Sequence, residues 1–151
     1  MSGRDSGPTF LERKRFMWQE SESEVVRLQK VLAHNGLTGQ ALMEKFRTAQ
    51  RQDVRLAAAL RGMFTPGCGD EAQRGEYLDY LKRRTVPAAV ALMEENRVLD
   101  LEKLDVCIPF SRETVDSLME TARRLGRPEV LVWLLEKKQS RFGFRDRDFS
   151  L

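Results

Sequence analysis

The sequence predicts an all-α fold. Apolar residues recur at spacings of three and four along most of the chain, and clusters of Gly, Pro, Asn and Asp separate those stretches. No run bounded by turns alternates with period two. Val130 to Leu135 is the one ambiguous run, and Pro128 before it with Glu136-Lys137-Lys138 after it favours a helix.

Each element has its own signal. Residues 1–20 read as a polar, loosely held arm carrying Arg13-Lys14-Arg15 and then Phe16, Met17 and Trp18. That aromatic group is expected to dock on the first helix or to serve as a short partner-binding motif. Ser21 to Glu24 offers a capping box for a first helix with Val25, Leu28, Val31 and Leu32 on one stripe, stopped at Asn35-Gly36. A second helix runs from about Gly39 to Gln50, with Leu42, Phe46 and Ala49 inward. A third starts near Asp53 and turns Val54, Ala57, Ala58 and Leu60 to the core. The breaker cluster Thr65 to Asp70 is a loop, and Tyr77, Leu78 and Leu81 mark a fourth helix. Thr85 is expected to cap a fifth, with Pro87 in its first turn and a stripe of Ala89, Val90, Leu92 and Met93. Leu99 to Leu104 reads as one helical turn, and Cys107 to Phe110 as an apolar connector. Ser111 caps a sixth helix bearing Val115, Leu118, Met119, Ala122 and Leu125. Gly126-Arg127-Pro128 closes it and opens a seventh.

Composition narrows the class of function. At 151 residues the chain suits one domain with a real core, and 41% apolar with 32% charged residues is an ordinary soluble composition. No stretch approaches the roughly 18 apolar residues of a membrane span, and MSGRDSGPTF has no apolar signal region. A cytoplasmic protein with reduced thiols, binding no membrane, is the expectation. The net charge of +3 is uneven: residues 121–151 hold eight bases against four acids, leaving −1 on the rest.

The helices also pair. Leu42, Phe46, Ala49, a tight turn, then Val54 and Ala57-Ala58 compare with Val115, Met119, Ala122, a turn, then Val130 and Trp133-Leu134. First-helix positions differ by a constant 73 and second-helix positions by 76, so register within each helix is kept. Tyr77–Leu81 with Val86–Met93 fits the same unit. Second helices starting near Val25, Val54, Ala88 and Val130 give a period near 33, which points to stacked helix-turn-helix pairs in an ankyrin-type solenoid. An irregular six- or seven-helix bundle is the alternative, because it gives similar stripes.

Gly126, Glu129, Val130, Leu134 and Leu135 resemble the second-helix pattern of ankyrin repeats, and Phe142-Gly143-Phe144 with Asp148 to Leu151 is similar to the C-terminal module of uncharacterised bacterial ankyrin-like proteins. The usual Thr-Pro-Leu-His start is absent, so a degenerate, mostly helical version is expected over residues 21–151. The resemblance implies a non-catalytic adaptor or small inhibitor that binds a protein through a concave row of first helices. Gln40, Glu44, Arg47, Arg51, Tyr80, Arg83, Arg84, Arg112, Asp116 and Arg123 are the candidate residues of that row. Arg and Tyr suit protein interfaces. The alternative is polyanion or nucleic-acid binding through Arg123, Arg124, Arg127, Lys137, Lys138, Arg141 and Arg145. Residues 141–151, with Phe142, Phe144, Phe149 and Leu151, are expected to fold back as a cap over an apolar last helix.

Catalytic chemistry finds little to hold, and no enzyme, cofactor, metal or small-molecule substrate is expected. His34, the sole histidine, sits at a helix end without a nucleophile nearby, and with two cysteines it cannot build a zinc site. Cys68 is the one candidate reactive thiol, dulled by Asp70 and Glu71, while Cys107 reads as core. Gly62-x-x-x-x-Gly67 lacks the Lys-Ser/Thr of a phosphate loop. Glu94-Glu95 and the Asp100, Glu102, Asp105 group read as surface charge.

Overall fold

The computed structural model describes residues 22–143, and these are helical throughout with no strand among them. In chain order the helices are α1 (Glu24–His34), α2 (Gly39–Thr48), α3 (Gln52–Phe64), α4 (Glu71–Lys82), α5 (Thr85–Glu94), α6 (Val98–Cys107), α7 (Arg112–Leu125) and α8 (Pro128–Phe142). The expectations for the arm 1–20 and for the tail beyond 143, Arg145 included, lie outside the described residues.

Helix ends follow local chemistry. Ser23, rather than Ser21, caps α1, its Oγ accepting from the Val26 N–H at 3.2 Å. Asp70 and Gln73 form a full capping box that starts α4 at Glu71, one and a half turns before the apolar signal of Tyr77. Ser111 caps α7 as expected. Thr85 does not cap α5: it is that helix's first residue, and its Oγ1 donates back to Leu81 and Lys82 carbonyls at the end of α4. Three helices close alike, with a left-handed residue at Gly36, Asn96 or Gly126. Each time the next residue's N–H reaches back to the carbonyl five positions earlier, satisfying an orphan acceptor. Among the described non-glycine residues only Asn96 holds positive φ, a conformation its short polar side chain tolerates.

Residues 98–107 form a whole helix, not a single turn. Its pattern hides this, because α6 buries Leu101, Leu104 and the charged Asp105 while leaving Leu99 and Val106 more than 70% exposed. Cys107 lies on the outer side of that helix and is exposed, while Cys68 is buried, so both thiols sit opposite to expectation.

Packing divides into two neighbourhoods. In the first, α3 is the hub, touching α1, α2 and α4. Leu56 to Leu60 is buried without a break, and Ala57, Ala58 and Ala59 let neighbouring helices come close. In the second, α7 packs on α8, and α5 touches α6 and α7. The hairpins α2–α3 and α7–α8 appear as the sequence pairs them, whereas α4 packs mainly on α3 and α5 mainly on α6 and α7.

Candidate interaction surface

The expected row divides in the structure. Gln40, Glu44, Arg83 and Arg123 are exposed, and their side chains hold no partner among the described residues. Arg47 is exposed but joins α2 to α4 through a two-pronged contact with Glu76 at 2.9 and 2.6 Å. Arg51 bridges Glu24 and Asp53. Tyr80 is a correction: only 4% exposed, it packs edge-on against Phe46 and donates its hydroxyl to Gln52 Oε1 at 2.9 Å. The guanidinium of Arg55 lies over both rings, so this aromatic belongs to the core. Arg84 is half-buried with its Nε unpaired. Arg112 stacks on Phe142 and donates to its carbonyl, and Asp116 pairs with Lys138 at 2.7 Å.

The basic end is largely engaged inside the molecule. Lys138, expected on the surface, is 3% exposed because Asp116 draws it under α7. Arg141 holds buried Asp105 in a two-pronged ion pair, and Asp105 also accepts from the Phe110 N–H at 3.0 Å. Burial pushes the Asp105 carboxyl up, but those donors and nearby Lys137 outweigh it and keep it below the ordinary range. Lys137 reaches Glu102 at 2.8 Å and lies over Trp133, whose Nε1 donates to the same carboxylate. Arg127 donates twice to the Glu94 carbonyl at the end of α5. Within this basic end only Arg123 and Arg124 present guanidinium groups without partners among the described residues.

A concave feature lies elsewhere, along α1. The C-terminal ends of α3, α5 and α7 converge on one flank of that helix, and each carries an arginine in its last turn or just beyond: Arg61, Arg97 and Arg127. Cations favour this position because the carbonyl ends of helices carry partial negative charge. One cleft of about 220 Å³ runs between Val26 and Lys30 of α1 and Glu94, Leu125 and Arg127 opposite, with Glu22 and Glu95 at its rim. The adjoining cleft, about 280 Å³, is lined by Gln29, Lys30, Ala33, Arg61, Thr65, Glu95 and Arg97. Lys30 and Glu95 line both, so the two make one furrow. Lys30 is held by Glu22 at 2.6 Å, which keeps its ammonium protonated beyond the usual lysine range. The Ser23 N–H donates to Glu94 Oε2 at 3.3 Å and fixes the start of α1 against α5.

Sequence reasoning missed the furrow because its residues come from four separate segments. The recurring signal was a left-handed stop followed by arginine, Asn96-Arg97 and Gly126-Arg127. No group of three or more His, Cys, Asp or Glu among the described residues is placed to hold a metal ion, and none of their helices is long and apolar enough to cross a membrane. Comparison of the chain with family models, curated proteins and solved structures finds no match.

Proposed function

We propose that the chain is a non-catalytic protein-interaction module that receives a segment of its partner along α1. The continuous furrow walled by the ends of α3, α5 and α7 carries this reading. Small-molecule sites are mainly apolar with a few polar groups. This furrow instead alternates charges of both signs beside aliphatic Val26 and Leu125, which suits a peptide backbone with charged side chains. The α2–α3 and α7–α8 hairpins, with the resemblance of α8 to ankyrin second helices, support a degenerate repeat scaffold for such binding. The rival face is the exposed remainder of the first-helix row: Gln40, Glu44, Arg83 and Arg123.

Capture of partners from a native lysate by the tagged chain, with nuclease present, tests the module. Two variants locate the face. Ala33→Arg fills the furrow from an exposed helical position, and Arg83→Glu with Arg123→Glu reverses the row. A stoichiometric protein retained after nuclease and lost only with Ala33→Arg is the expected result. Loss only with the row variant moves the site to the first helices. Recovery of nucleic acid alone, released by salt, overturns the module.

A further inference from the structure

We propose that the Gln29 half of the furrow is a receptor for a carboxylate side chain, Asp or Glu, on the partner segment; this rests on the interaction reading above and names its chemistry. Gln29 is 9% exposed. Its Oε1 accepts from Arg97 Nη1 at 3.0 Å, which fixes the amide's orientation, and its Nε2 has no acceptor among the described residues. Leaving a desolvated donor unmatched is unfavourable, and an apolar side chain of similar length would fill the same volume without that penalty. A second residue lining the same cleft also has donors to spare. Arg61 places its Nε on the Leu37 carbonyl at 2.7 Å, leaving its terminal nitrogens without a partner among the described residues. Arg97 is braced by Asp100 and Glu95, and Lys30 by Glu22, which leaves Arg61 as the cation lining this cleft that has no carboxylate among the described residues.

A carboxylate matches this set. It offers two oxygens in one plane to an amide donor and a guanidinium, and its charge is drawn by the unmatched end of Arg61. A neutral amide side chain brings donors where donors are already in surplus. A partner lacking an acidic residue leaves Gln29 Nε2 unmatched.

The test uses the full, isotope-labelled chain and three probes: an acetylated Glu-rich octapeptide, its Gln counterpart, and inorganic phosphate. The Glu peptide is expected to shift the Gln29 side-chain amide and the Ala33 and Thr65 backbone signals, and to bind about tenfold or more tightly than the Gln peptide, the scale of one charge-assisted hydrogen bond. Gln29→Met is expected to weaken the Glu peptide by a similar factor while leaving Tm unchanged or higher. A residue serving packing alone would instead lower Tm and leave affinity intact. Gln29→Glu, which keeps the shape and adds a like charge, abolishes binding. Equal binding of both peptides in the furrow overturns the carboxylate proposal and leaves the interaction module standing. Shifts with phosphate alone, or with no probe, also overturn it, and lysate capture then decides the module independently.

Discussion

Two seams of this molecule hold their helices together by different means. Around α3 the contacts are apolar and close: three consecutive alanines with no exposed surface, a glycine under a tyrosine ring, and the edge-on cluster of Phe46 with Tyr77 and Tyr80. Between α6 and α8 the contacts are ionic: Asp105 with Arg141, and Glu102 with Lys137 and Trp133. Close apolar packing tolerates no added volume, whereas a buried ion pair tolerates no missing charge. The furrow lies between these regimes, on the flank of α1 where α3 and α5 both touch it.

The sharpest separation of the two regimes comes from Asp105→Ala. The carboxylate is 1% exposed, and removing it leaves the Arg141 guanidinium and the Phe110 N–H without their acceptor, with an expected loss of roughly 3 kcal/mol in denaturant unfolding. Acid should act in the same place. Because the folded pKa lies below the unfolded one, the unfolded chain takes up the proton first as pH falls. The contribution of Asp105 is therefore complete above the ordinary aspartate pKa of about 3.9 and drains away as pH drops through the folded value. Comparing stability at pH 6 and pH 3 should show a smaller acid loss in the variant than in the parent; equal losses would break the assignment.

Gly62→Ala probes the other regime. An added Cβ would stand 2.6 Å from Tyr77 Cδ2 and Cζ, against a ring with no exposed surface to yield into. Alanine favours helix by up to about 1 kcal/mol over glycine, so a net loss of ~2 kcal/mol means overpacking wins. A thermal shift upward would mean the hub is looser than its geometry. Tyr77→Phe is the complementary change. The Tyr77 hydroxyl is buried without a hydrogen-bond partner among the described residues, and that burial pushes its pKa up to about 12. Deleting an unmatched polar group should leave stability unchanged or raise it by up to ~1 kcal/mol.

The contrast between regimes also explains what the sequence allowed one to read. Helices with one wet and one dry face, α1, α2 and α7, declared themselves through spacings of three and four, and Ser111, Gly126 and Pro128 placed the α7–α8 turn. The hub helix α3 is buried on several sides, so its stripe was visible while its central role was not. In α6 the buried face includes an aspartate and the wet face includes Leu99 and Val106, which inverts the pattern that periodicity relies on. Site residues fared similarly. Helical position marks Tyr80 and Lys138 as surface groups, but each is drawn inward by contacts far along the chain, Gln52 and Asp116 among them. No local spacing encodes such a partner. The furrow was illegible for the same reason.

The smallest expected effect is the most direct check on burial as the deciding variable. Arg47 and Glu76 make the same two-pronged guanidinium–carboxylate contact as Arg141 and Asp105, but both side chains of the first pair are at least 40% exposed. The hydrogen bond from Arg47 holds the Glu76 carboxyl below its ordinary range. In water, however, the attraction is screened, and ordering two long side chains offsets much of it. Arg47→Met, which keeps the stem that covers α2, should therefore leave denaturant unfolding almost unchanged, and 1 M salt should erase what effect there is. The buried pair should keep most of its larger effect in the same salt. A double-mutant cycle on each pair, run at low and high salt, measures both couplings directly. If the exposed pair matched the buried one, geometry rather than burial would set the strength of these contacts, and the distinction between the two seams would collapse.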